Sequence, residues 1–219
     1  MSNKNSKEIK NLNKLMNLAD LHFAKGDVAK AYELFKKAYE LLKQLHSNKQ
    51  YGLYFPQAMI IILGLITSSF NLNKYKDVLK YIEEYEEILK ERYESQGEKE
   101  SFVSYLKSHS STYYVQSVKA RTLEILGRVE DSLRSIDNFL SQNSIHSSSN
   151  TITKIYENIL RRERALIIAQ LAIPNIMLSK FRGSTAFHLD EKERKRIIAK
   201  YLELGYDEDT ARQDLDTID

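Results

Sequence analysis

The sequence predicts an all-α protein, on three observations. Only two prolines, Pro56 and Pro174, and seven glycines interrupt 219 residues, which favours long helices over the many turns a sheet requires. Apolar residues recur at spacings of three and four along most of the chain. Between Leu15 and Leu42, small and large apolar residues stand at interlocking positions on either side of a tight turn.

The first seven residues are polar and are expected to be disordered. The first helix pair then runs to about Leu45, turning at Lys25-Gly26-Asp27. Before the turn, Leu15, Leu18 and Ala19 form one stripe; after it, Ala31, Phe35 and Ala38 share a helical face. Alanine lets the two helices approach closely and phenylalanine fills the gap. A polar linker, His46 to Gln50, leads to a strongly apolar stretch from Tyr54 through Phe70. Asn71 to Tyr75 then turns the chain, and Val78, Ile82, Tyr85 and Leu89 supply the stripe of the next helix. Phe102 to Leu140 reads as a third pair, with Leu126-Gly127-Arg128 at its turn and Ser132, Ile136 and Phe139 on the packing face. The serine-rich stretch Ser141 to Asn150 is a surface loop by composition. Ile152 to Leu178 predicts a fourth long helix that caps the stack, carrying Ile155, Ile159, Ala165, Ile168 and Ala169. Pro174 should kink or end it, because proline lacks a donor and clashes with the preceding turn.

The first pair resembles a tetratricopeptide repeat, whose small residue, turn glycine and Ala-Phe-Ala face match Ala19, Gly26, Ala31, Phe35 and Ala38. Leu15 stands where the family has an early tryptophan, and Lys43 where it has a late proline. The matched positions 31, 78 and 132 lie further apart than the usual period of about 34 residues. The expectation is therefore either a tetratricopeptide-like superhelix with extended helices over 8–178, or a general helical bundle containing one good repeat. The resemblance implies a non-enzymatic adaptor or scaffold subunit that binds a helical or extended protein segment. Chaperone-binding members of the family use a Lys, Asn and Arg clamp, but the matching positions here hold Met16, Asp20, Gly64, Tyr114 and Val118. Asp20 would repel a terminal carboxylate, so chaperone carboxyl-terminal tails are disfavoured as partners. The inner helices would offer His22, Phe70, Tyr113 and Tyr114 instead, and aromatic residues with polar tips are good interface anchors. A peptide-responsive regulatory receptor, changing superhelix pitch on binding, is the alternative of a different class.

After a linker at 179–189, Asp190 is placed as a helix N-cap with Glu193 three residues on. A helix, the turn Leu204-Gly205-Tyr206 and a second helix with Ala211 and Leu215 follow. This segment, 190–219, resembles the first two helices of a ubiquitin-associated domain, which implies ubiquitin binding through Leu204, Gly205 and Tyr206. On the residues alone, the same helices can pack on the scaffold's end, with Gly205 as a left-handed C-cap.

Little in the chain points to chemistry. No two of the five histidines have helical metal-pair spacing, and no P-loop, dinucleotide-binding or nucleophile-elbow pattern occurs. No enzyme activity, cofactor or metal is expected. Glu83-Glu84 and Glu86-Glu87 read as a solvated helix face, and Arg161-Arg162-Glu163-Arg164 as a solvated run or a site for an acidic partner. The net charge of +3 is too dispersed to argue for nucleic acid. Absence of cysteine suits a cytoplasmic or nuclear protein. The longest apolar run, Ala58 to Ile66, falls short of the roughly 20 residues of a membrane span, and the polar amino terminus lacks a signal peptide's apolar core.

Overall fold

The structure is a computed structural model that describes residues 3–45, 54–97, 102, 105–106, 109–141, 151–173 and 189–218. All regular structure among them is helical. The chain divides into two compact units, Met1–Leu106 and Lys107–Asp219. In the first, α1 (Asn3–Ala24), α2 (Val28–Leu45), α3 (Phe55–Asn71) and α4 (Tyr75–Gln96) pack in sequence order, and α1 also touches α3. In the second, α5 (Ser110–Ile125) and α6 (Val129–Ser141) form a pair, and α7 (Thr151–Ala172) packs on both. Two short helices, α8 (Glu191–Glu203) and α9 (Glu208–Leu215), pack on each other and on α7.

Four hairpins turn in the same way. The residue two past the first helix takes a left-handed conformation: Gly26 (φ +80°), Asn73 (+57°), Gly127 (+75°) and Gly205 (+90°). The next residue donates back five positions, Asp27 to His22, Lys74 to Ser69, Arg128 to Leu123 and Tyr206 to Tyr201, at 2.8 to 3.0 Å. These bonds satisfy carbonyls that a helix end would otherwise leave bare. Glycine takes this conformation without cost; asparagine is the side chain that tolerates it best. Five positions past the left-handed residue in the first three hairpins, and six past it in the last, a fully buried small or β-branched residue begins the inward stripe: Ala31, Val78, Ser132 and Ala211. The first three are the positions matched in the sequence, and Ala211 joins them.

The predicted core stripes are buried as expected in the first unit: Ala31, Phe35 and Ala38, then Val78, Ile82, Tyr85 and Leu89. Each such large side chain contributes about 1.5–3 kcal/mol through burial. Phe35 owes its place to Gly64, since a Cβ there would lie 2.4 Å from the phenyl Cζ. The apolar edge of α2 thus seats directly on the backbone of α3.

Several of the expected segments are drawn differently or more finely by the structure. The boundary at Leu106 falls inside the stretch expected as one domain, 8–178. Helix α1 starts at Asn3, inside the segment expected to be disordered. The tail 190–219, which the residues alone leave open to packing on the scaffold, buries Ile197, Tyr201, Leu215 and Ile218 in the second unit, where α8 and α9 pack on α7. Accordingly α7 is covered and does not cap a stack. On α7, Ala165, Ile168 and Ala169 are buried, but Ile155 and Ile159 are exposed, and Leu160, Leu166 and Ile167 complete the stripe. The helix ends at Ala172, ahead of Pro174; Pro174, the linkers at 46–50 and 179–188, and the loop at 142–150 lie outside the described residues.

Candidate functional site

The apolar helix α3 has more apolar surface than its neighbours cover. Its buried set is Ala58, Met59, Ile61, Ile62, Leu65 and Ile66. Ile60, Leu63, Thr67 and Phe70 follow at spacings of three and four along the remaining face. Ile60 is 46% exposed, and the other three are half-buried. Thr67 donates to the carbonyl of Leu63 at 2.8 Å, and Phe70 meets Tyr75 edge to face at 6.0 Å. The adjoining helix α1 carries an exposed polar row, Asn13, Asn17 and Asp20, at helical spacing. His22 lies off that row and hydrogen-bonds Asp27 of the first turn at 3.1 Å. Of the residues proposed from the sequence in this unit, Phe70 lies on the open face of α3, whereas His22 closes a turn.

Two tyrosines tie α2 to α4. Tyr32 and Tyr39, seven positions apart, donate to Asp77 (2.9 Å) and to Glu84, also seven apart. Each tyrosine ring also carries a lysine, Lys74 at 4.0 Å and Lys43 at 4.2 Å. Burial, with hydrogen bonds involving Tyr81 and Asp77, raises the Tyr32 hydroxyl far above its ordinary range. Glu84 is therefore a structural acceptor and not part of a solvated acidic face, while Glu83 and Glu87 are exposed.

In the second unit the aromatic candidates separate. Tyr113 is 1% exposed and packs edge to face on Phe139 at 5.1 Å, so it is core and offers no partner surface. Burial and the charge of Glu157 push its hydroxyl up to about 12. Tyr114, the next residue on the helix, points outward and is 41% exposed. Leu204 is also exposed, and Gly205 has open space around its Cα. Tyr206 turns inward: its hydroxyl donates to Asp137 at 2.6 Å and its ring lies 5.2 Å from the Arg164 guanidinium. The three turn residues thus do not form one outward patch.

The basic run on α7 finds its acidic partner within the chain. Arg164 donates from Nε and Nη2 to the two carboxylate oxygens of Asp214, at 2.6 and 3.0 Å, and from Nη1 to Asp137 at 2.7 Å. Asp214 is fully buried and also accepts from the Tyr201 hydroxyl at 2.9 Å. Arg161 reaches Gln213 at 3.2 Å and Asp214 at 3.6 Å. On the opposite side, Glu163, 2% exposed, accepts from Arg121 of α5. Burial works against the charge on Arg164, but the hydrogen bonds and charges of Asp214 and Asp137 outweigh it and raise its pKa. The Tyr201 and Tyr206 hydroxyls are raised too, first by burial and then by these carboxylates. A neutral tyrosine is the form that can donate here. The arrangement has the chemistry of a clasp between α6, α7, α8 and α9, with its functional groups turned toward one another.

Nothing in the residues alone pointed to this clasp, because its charged partners are 27 and 50 positions apart. Ile60 and Leu63 were missed for another reason: within a run as apolar as Ala58 to Ile66, an exposed face is not distinguishable from a buried one. Among the described residues, no group of His, Asp or Glu could hold a metal ion, and no helix is long and apolar enough to cross a membrane. Comparison with protein-family models, with curated proteins and with solved structures gives no match.

Proposed function

We propose that this chain is a non-enzymatic adaptor or scaffold subunit that binds a segment of a partner protein through the tetratricopeptide-like first unit. The observation that carries this reading is the open face of α3, where Ile60 is exposed beside half-buried Leu63, Thr67 and Phe70. A partner's helix or extended strand of chain would gain most from covering such a stripe, with Asn13, Asn17 and Asp20 on the neighbouring helix supplying polar contacts. Chaperone tails suit it poorly: of the clamp positions, Met16 is buried and Gly64 lies under Phe35. Ubiquitin binding through the tail has less support, since Tyr206 is engaged by Asp137 and Arg164.

The test is affinity capture from cell extract with quantitative mass spectrometry, using the full chain, Ile60→Glu/Thr67→Glu and Leu204→Asp. Loss of the same protein from the first variant only, followed by its direct binding to the purified chain, supports the reading. Equal recovery on all three chains would sink it, and loss from Leu204→Asp only would move recognition to the tail.

A further inference from the structure

The side of α7 that carries Arg164 is filled by a segment of the same chain, and that occupant shows what the site takes. The hairpin of α8 and α9 is locally self-sufficient. Asp190 and Glu193 close its capping box, Asp207 caps α9 by accepting from the Thr210 amide at 2.6 Å, and Gly205 makes its own left-handed turn. Fifteen positions, 174–188, join it to the end of α7. Few of its side chains hold it down. Helix α8 buries only Ile197 and Tyr201, and α9 buries Ala211, Asp214 and Leu215, with Leu189 and Ile218 buried at the two ends. All other described positions from 190 to 217 are exposed or half-buried. The α7 side is arranged without the hairpin's help. Arg164 donates to Asp137 of α6 at 2.7 Å, so its guanidinium stays oriented when Asp214 leaves. Leu160 and Ile168, one helical turn on either side of Arg164, are fully buried on the same face. Arg161, three positions before it, adds a second cation 3.6 Å from Asp214.

From this we infer that the tail is an autoinhibitory latch: the Arg164 face of α7 is a docking site for an aspartate-bearing helix of a partner protein, and α9 occupies it from within the chain. The partner helix presents the triplet that α9 presents, a small residue, an aspartate three positions on and a leucine next to it, here Ala211, Asp214 and Leu215. That spacing puts all three on one side of a helix. A purely apolar helix is rejected, because it would cover Arg164 and Arg161 without supplying the carboxylate that α9 brings between them. A tethered tail competes at high effective concentration, so a free helix with equal contacts is kept out until the tail opens. This site belongs to the second unit and does not depend on the α3 face.

The experiment is fluorescence anisotropy with a labelled synthetic peptide of residues 189–219 as the free helix. It is titrated with the full chain, with Asp214→Ala/Leu215→Asp, which loosens the tethered tail, and with the same variant carrying Arg164→Met. Helicity by circular dichroism checks that each chain is folded. The expected result is saturable binding about tenfold or more tighter to the tail variant than to the unaltered chain, and weakened about tenfold or more when Arg164→Met is added. No binding to the tail variant, equal binding to it and to the unaltered chain, or binding indifferent to Arg164→Met overturns the proposal. Hydrogen exchange of the unaltered chain, read by mass spectrometry, needs no variant to fold. The amides of α8 and α9 should exchange together, about tenfold or more faster than those of α5 to α7. Exchange of both sets at one rate would mean that the tail leaves only when the whole unit unfolds, and that result too overturns the latch.

Discussion

Arg164 and Asp214, fifty positions apart, meet through two parallel hydrogen bonds of 2.6 and 3.0 Å in a site from which solvent is almost excluded. Such a fork-to-carboxylate pair is directional as well as strong. It joins the last helix of the chain to α7 and, through Tyr201 and Asp137, draws in α8 and α6.

Removing Arg164 leaves the buried Asp214 with only the Tyr201 hydroxyl and Arg161 at 3.6 Å, and removing Asp214 leaves Arg164 with Asp137 as its remaining carboxylate, so breaking the pair from one side costs up to about 3–5 kcal/mol. Asp214→Ala and Arg164→Met should each lower the stability of the full chain by that order, read from urea unfolding by circular dichroism. The double variant should lose clearly less than the sum, because no charge is then stranded. Strict additivity would mean that the two side chains do not act on each other.

Phe35 and Gly64 make the corresponding test in the first unit. Gly64→Ala places a methyl group where the ring already sits, 2.4 Å from Cζ, and should destabilise by about 1–3 kcal/mol despite alanine's better helix propensity. Phe35→Leu/Gly64→Ala should recover part of that loss, since the shorter side chain vacates the space. Thermal unfolding of the two variants compares them directly.

The buried tyrosines set an alkaline limit. Tyr113 is raised to about 12 in the folded chain, whereas an unfolded tyrosine ionises near 10. Its contribution is complete below pH 10 and is lost as pH rises toward 12, because the unfolded state releases its proton first. The full chain should therefore lose about 2 kcal/mol across that interval from Tyr113 alone. Tyr113→Phe should flatten the pH dependence of the midpoint between 10 and 12, and an unchanged slope would count against the assignment.

Asn73 occupies a left-handed position that the other hairpins give to glycine, and its Oδ1 accepts from the Tyr75 hydroxyl at 2.7 Å. Asn73→Gly removes the conformational cost and that hydrogen bond together, so stability should change by less than about 0.5 kcal/mol. Asn73→Ala loses the bond and keeps the strain, and should cost about 1 kcal/mol or more. Chemical denaturation of both variants distinguishes the cases.

By itself the sequence determined the helices, their turns and most of their inward faces, because helical periodicity, turn glycines and a capping box act over a few residues. Gly26, Gly127 and Gly205 mark three hairpins, and Asp190 with Glu193 closes the box as their spacing implied. Tertiary structure alone decided what Arg164, Tyr206 and Glu84 do. Read locally, these are exposed polar side chains, yet each is held by a partner from a distant helix: Asp214, Asp137 and Tyr39. It also decided that Tyr113 is core while its neighbour Tyr114 faces outward, since that depends on which side of α5 meets other helices. Periodicity reports that a helix has an apolar face. Which polar groups are desolvated, and which apolar ones remain open, depends on pairings across tens of residues, and no local pattern encodes those.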